Sequence, residues 1–394
     1  MVSFQDEVLD TNETIDAGFQ SSPENVIRSW YVDARINLSN ATSKDSIRIA
    51  HLNHRRNALV NSTGFLVENG KDLLTNLAIG ADISAEDIDP IIIPVSPESQ
   101  ESHLFRLATL WWSVPVSLGY GRRQRFLVKD RQNDKLIGVF ALGDPVFNLA
   151  ARDQKIGWNS NQRKVRLKYV VDAFVMGALP PYSRLLCGKL VASLATSREV
   201  ERMFCSKYSG QKTVILKGRQ NGQLALMTTS SVFGESSVYD RLQINKTVRF
   251  LYVGQTKGYG HFHVPRDVFK AMVSFLVRHE HPYAKGNRFG MGPNWKMRVI
   301  RTALSLLDLD PEQLKHGLCR GVYLVPLAKN YDKFLSGKQR FLSKRIQASE
   351  TEITKRIKHR WVIPRSQRDP SWRIIDGAEM LRSSINSTIG REIL

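Results

Sequence analysis

The sequence predicts an α/β protein of the α+β kind, with a central mixed sheet flanked by helices. A helical amino-terminal region precedes that core, and a basic, mostly helical region follows it. Three observations predict this. Apolar or β-branched runs at 125–130, 136–142, 165–176, 224–229 and 248–254 have the length and turn-bounded character of strands. Segments of helical spacing, notably 183–196 and 265–279, lie between them, and such alternation argues for helices packed on a sheet. The composition, 42% hydrophobic and 24% charged, is that of a folded chain.

Taken in order, residues 1–24 are polar and acidic and read as a mobile arm. Residues 25–100 form a helical region: Val26, Ile27, Trp30 and Tyr31, then Leu52, Leu59 and Val60, recur at helical spacing. Within it, 83–100 reads as a connector, because Pro90, Pro94 and Pro97 surround Ile91-Ile92-Ile93. The core spans 101–297. It opens with a helix or buried segment at 104–112 and a break at Pro115, Gly119 and Gly121. A hairpin follows, turning at Gln132-Asn133-Asp134-Lys135. Val268, Met272, Val273, Phe275 and Leu276 give 265–279 an apolar face. From 298 to 394 the pattern is mostly helical. Its KRIQASETEITKRIKHRW stretch reads as a charged helix with Ile346, Ile353 and Ile357 turned inward.

Charge divides the chain. Residues 1–101 carry 7 Lys/Arg against 16 Asp/Glu, whereas 102–394 carry 50 against 21, for a total of +20. Such a field attracts polyanions; an RNA-binding or anionic-membrane-binding protein would share it, but with a soluble composition and no amphipathic anchor DNA, single- or double-stranded, is the expected partner. No apolar stretch approaches the roughly 18 residues of a membrane span, and no signal segment opens the chain, so a cytoplasmic place and no membrane partner are expected. The sparse Cys187, Cys205 and Cys319 fit a reducing compartment, and without a Cys-x-x-Cys pair no structural zinc is expected.

Two segments combine cations with backbone or aromatic groups suited to nucleic acid. In GYGRRQR, Arg122, Arg123 and Arg125 offer fork-shaped donors to phosphate, though a solvated basic turn explains them equally well. In KGNRFGMGPNWKMR, Lys285, Arg288, Lys296 and Arg298 flank Trp295, a base-stacking candidate that would otherwise plug the core. A candidate pocket gathers Ser183, Arg184, Ser230, Ser231, Ser237, His261 and His263. The two histidines share a face if extended. Without a completing Cys or carboxylate they read as polar pocket residues, and no metal site is assigned. Asp144, Asp153 and Asp172 stand in apolar surroundings and require partners, for which Arg152 and Arg184 are candidates. No compact acidic set announces a nuclease.

The order of GYGRRQRFLVKD, LIGVFALGDPVFNLAARDQKIGW, VVDAFVMGALPPYSRLLCGKLVASL, TTSSVFGESSVYDRL, GQTKGYGHFHV and HGLCRGVYLVPLAKN resembles the Druantia A anti-phage defence family over about residues 104–335. That resemblance implies a role in anti-phage immunity beside other proteins of the system, including a large helicase-like partner. The core is more distantly similar to acetyltransferase-like (GNAT-like) proteins, nearest to DNA-modifying proteins of the Mom type. This second resemblance implies acyl-CoA as cofactor, received at the N-terminus of the helix within VVDAFVMGALPPYSRLLCGKL, with Tyr239 as the acid that protonates the leaving thiolate. Pro180-Pro181-Tyr182-Ser183-Arg184 stands where that family carries a glycine-rich loop. Three functions follow: a DNA-binding defence protein, an acyltransferase acting on nucleic acid or protein, or a non-catalytic adaptor. Self-association is compatible with each.

Overall fold

The computed structural model describes residues 22–38, 44–112, 114, 116, 121–211, 223–246, 248–261, 264–284 and 295–394. Its strands are β1 (Pro90–Pro94), β2 (Arg123–Asp130), β3 (Lys135–Gly143), β4 (Val170–Ala178), β5 (Leu226–Ser231), β6 (Leu251–Gln255) and β7 (Gly321–Pro326). The helices used below are α1 (Pro23–Leu38), α2 (Ala150–Ile156), α3 (Cys187–Leu194), α4 (Arg198–Tyr208), α5 (Arg266–Arg278), α6 (Trp295–Leu306), α7 (Tyr331–Leu335), α8 (Glu350–Ile357) and α9 (Gly377–Ile389).

The strands form one sheet of order β1-β2-β3-β4-β5-β7-β6. All neighbours are antiparallel except β4 and β5. The parallel pair needs a crossover, which α3 and α4 supply. Its pairing is short: Val170–Ala173 match Leu226–Thr229, and beyond that β4 runs on to Ala178 without β5 beside it. Mixed-sheet α/β architecture is therefore as the sequence predicts.

Three elements differ from the sequence reading. The connector at 83–100 contains β1, which pairs along β2 from Pro90↔Asp130 to Pro94↔Phe126. Proline is tolerated there because β1 is an edge strand. The helical tail contains β7, an inner strand buried at all six positions, where a continuous apolar run replaces alternation. The 165–176 run starts its strand only at Val170, because Asn159 and Gln162 form a capping box that begins a helix at Ser160.

Side chains alternate across the sheet, as the period-2 pleat requires. Phe126, Phe140, Val171, Met227, Tyr323 and Val325 face one buried cluster with α3, α4, α8 and Trp372. On the opposite face, Val170, Leu226 and Leu324 pack with residues of α2 and α7. The chain divides into two compact units: Ser43–Lys257 with Leu318–Leu394, which holds the sheet, and Met1–Thr42 with Gly258–Gly317. The second has its own core, in which Ile27 and Trp30 of α1 meet Met272 and Phe275 of α5 and Ile300 of α6. Among the described residues, no helix is long and apolar enough to cross a membrane.

Candidate functional site

Register builds a polar row into the middle of the sheet. Arg123, Gly143, Asp172 and Thr228 are successive cross-strand partners and therefore share a face. Thr228 donates from Oγ1 to Asp172 Oδ1 at 2.6 Å. Asp172 lies deep yet keeps some accessible surface. Burial pushes its carboxyl above the usual carboxylate range, and the Thr228 hydrogen bond and the charges of Arg152, Arg320 and Arg123 offset this in part. Of the three carboxylates singled out from sequence, Asp153 is held by Arg152 and Arg163, and Asp144 by Arg122. Asp172 has no ion pair among the described residues. Arg184 joins none of them: it is exposed, and its carbonyl accepts from Arg365 at 3.2 Å.

Tyr239 lies on the other face of the sheet. Its ring stacks on Phe250 at 5.2 Å and meets Tyr323 edge-on at 5.1 Å. Lys189 of α3 fixes the turn that carries it, donating to the carbonyls of Ser237 and Val238. Burial pushes the Tyr239 hydroxyl up to about 12, with Thr229 beside it lowering it and the Asp172 charge raising it. Ser231 is buried, whereas Ser230 and Ser237 are exposed. The 179–186 loop is covered at its start: the Pro180 carbonyl lies where a Cβ on Gly377 would fall, and Pro180, Pro181 and Tyr182 are buried. Ser183 is half-buried in that loop, and its N–H donates to the Leu179 carbonyl. His261 belongs to the second unit, where burial and the Lys296 charge lower its pKa. His263 lies outside the described residues.

The two basic segments resolve differently along their length. Arg122 is buried, and its guanidinium donates to Asp144 at 2.7 Å and to the Val170 carbonyl at 3.1 Å. Gly121 makes room for that pair: φ is +81°, and a Cβ there would collide with Asp144 Oδ2. Arg123 is half-buried with its guanidinium 3.7 Å from the centre of the Phe174 ring, and Arg125 is exposed over Phe105. Trp295 is half-buried, edge-on to Phe269, and donates from Nε1 to the Tyr283 carbonyl at 2.8 Å. Lys296 is half-buried beside Phe269, and Arg298 is exposed. Lys285 and Arg288 lie outside the described residues.

Sequence reasoning missed a basic groove along the edge strand β6. It encloses about 660 Å³ and is lined by Lys155, Lys246, Arg249 and Lys329, with Tyr252 and Tyr331 among the other walls and no carboxylate. None of the four cations makes an ion pair among the described residues. They come from α2, from the segment before β6 and from the residues before α7, so no run of sequence marks them. The signal available was only the regional excess of cations. Like charges around one concavity repel one another, and an anion seated among them relieves that repulsion.

A family model described as Druantia protein DruA matches residues 40–337. Druantia protein DruA of Escherichia coli (strain UMEA 4076-1) is 40% identical over 332 residues, which cover 84% of this chain and 82% of the relative. No solved structure matches the chain. The matched span contains all seven strands, the polar row and the basic groove, and the chain belongs to the Druantia protein DruA family.

Proposed function

We propose that this protein serves anti-phage defence by holding nucleic acid in the basic groove beside β6. The groove's four cations, none of them in an ion pair among the described residues, and the absence of a carboxylate from its described lining carry this reading. Family membership supports the defence role, and the excess of cations after residue 101 supports a polyanionic ligand. Tyr252 is 38% exposed, enough to offer a ring face to a base while Lys246 and Arg249 hold phosphates. Other proteins of the system, a helicase-like one included, are the natural partners of a nucleic-acid-bound form.

Fluorescence anisotropy with labelled single-stranded, duplex and forked DNA across salt tests the reading. Four phosphate contacts predict a loss of affinity of roughly 50- to 150-fold between about 50 and about 200 mM salt. Lys246→Glu with Arg249→Glu should weaken binding and flatten that slope by about two contacts. Absence of binding to all three DNAs, or an affinity indifferent to salt, overturns it.

An acyltransferase-like core is the second reading. The brief parallel pairing of β4 and β5, with Tyr239 beside the point where they part, favours it. Against it, the start of the loop leading to α3 is buried, with Gly377 against Pro180, and bulky residues stand where a backbone cradle for a pyrophosphate would be. Binding of coenzyme A measured by calorimetry, with masses of nucleosides from cells making the protein, separates the readings. Unchanged nucleosides and no coenzyme A binding leave the groove as the functional element.

A further inference from the structure

After α7 the chain makes a short excursion, 336–345, and comes back beside the basic groove. Ala328 bridges to Arg345, and Asn330, which stands between the groove residues Lys329 and Tyr331, fastens the excursion at three more points. Its N–H donates to Ser343 Oγ at 3.3 Å, and its Oδ1 accepts from the Ser343 N–H at 2.8 Å. Its Nδ2 donates to the Phe341 carbonyl at 3.0 Å and to Gln339 Oε1. The Gln339 N–H is held in turn by the Lys333 carbonyl at 3.0 Å. Leu342 packs on the same cluster as Leu251, Val253 and Tyr331, the groove's own apolar residues. Its neighbour Phe341 is 75% exposed.

A lone exposed aromatic is ordinary on a protein surface. This one is carried on a fastened backbone, and its setting points to one kind of partner. Residues 333–345 hold five cations, Lys333, Lys338, Arg340, Lys344 and Arg345, and no acid. Among the described residues only Arg345 of these makes an ion pair, with Glu201 at 3.3 Å. The Arg340 guanidinium lies 5.3 Å from the centre of the Phe341 ring. A nucleic-acid strand repeats a phosphate and a flat ring at every nucleotide, so one ligand serves the groove, these cations and the exposed ring together. Phenylalanine has no hydrogen-bonding group, so its ring asks only that a base face be open. Inside a duplex both faces of each base are covered by neighbours, and insertion there costs unstacking. We propose that Phe341 is a stacking post for an unpaired base beside the groove, so that the protein prefers single-stranded nucleic acid to intact duplex. The inference rests on the nucleic-acid reading above and adds to it the form of the strand.

The test compares a labelled oligothymidine with a duplex of equal length by anisotropy, using the full chain at one salt concentration. The wild type should bind the single strand more tightly. Phe341→Ala should weaken the single strand by about 5- to 150-fold, the span of one base–aromatic stack, and leave the duplex unchanged. Phe341→Trp should restore the single strand, since indole offers a larger face. An exposed ring leaves the fold when removed, so both variants should melt with the wild type. Lys246→Glu with Arg249→Glu should weaken both DNAs. A wild type that favours the duplex, or a Phe341→Ala loss equal for the two DNAs, overturns the stacking post while leaving the groove standing. So does a Phe341→Ala protein that binds both as the wild type does, and if that variant also loses phage defence the ring serves a protein surface. Failure of the wild type to bind either DNA overturns both.

Discussion

Asp172 holds a carboxylate away from water with one threonine hydroxyl as its hydrogen-bonded neighbour and three arginines acting at a distance. Its folded pKa is raised, so the native state is best served when the group is protonated. That contribution is fully present below the unfolded carboxylate value and is lost as pH rises through the raised one. Asp172→Asn removes the desolvated charge and keeps an acceptor for Thr228. At neutral pH it should therefore stabilise the protein by roughly 1–3 kcal/mol, the cost of a poorly compensated buried polar group. The advantage should shrink as pH falls toward about 4. Thermal melts of both proteins across pH check this, and a variant less stable than wild type at every pH would refute the account of Asp172. At this scale the sequence was legible in kind and in part in partnership. Acids in apolar strands had to be compensated, and Arg152 does pair with one of them, Asp153, whereas Arg184 pairs with none of the three and Asp144 took Arg122. Those pairings depend on register and on the room left at Gly121, neither of which a linear pattern contains.

The elements that escaped sequence reading are those whose identity is set by neighbours. A three-isoleucine run between prolines is a strand only because β2 offers an edge, and GVYLVP is a strand only because β5 and β6 flank it. The carboxy-terminal segment is the same case at larger size. A charged helix was evident there, and Ile353 and Ile357 are buried, but the helix begins only at Glu350 and Ile346 lies before it, half-buried. Its largest buried side chain, however, is Trp372, 1% exposed in the cluster that also holds Phe140, Tyr182 and Leu190. Trp372→Ala should cost about 3–5 kcal/mol, a large part of the stability of a typical domain. Trp372→Phe should cost distinctly less, because the indole N–H it deletes is buried with no hydrogen-bond partner among the described residues. Denaturant midpoints of the two variants decide it: equal losses would mean that the ring's volume is not what anchors the segment. Such an outcome would also weaken the case that this segment seals the loop before α3, since Gly377, five residues on, lies against Pro180.

At the scale of the molecule, one hairpin explains how two units share a chain. β6 and β7 are antiparallel neighbours, and their ends meet at Gln255↔Gly321. Beyond that pair the ladder continues: Thr256 N–H donates to the Arg320 carbonyl and Arg320 N–H to Thr256 Oγ1, each at 2.9 Å. The chain thus leaves the sheet unit at Lys257 and returns at Leu318, from adjacent strand ends. An excursion whose ends are already joined makes little demand on the sheet, which is how insertions are tolerated in hairpin connections. The excursion itself needs α1, since Ile27 and Trp30 complete the core around α5 and α6. Replacing 258–317 by a short Asn-Gly turn and removing residues 1–42 together should leave a sheet unit that folds cooperatively and keeps the groove, whose lining residues all lie outside the deleted segments. Removing 1–42 alone should instead expose the apolar faces of α5 and α6 and give an aggregation-prone protein. Circular dichroism melts with light scattering distinguish the two constructions. If the double deletion melts without cooperativity while the single deletion stays soluble, the sheet unit depends on the insertion. The hairpin would then be a structural joint of both units rather than a connection between independent ones.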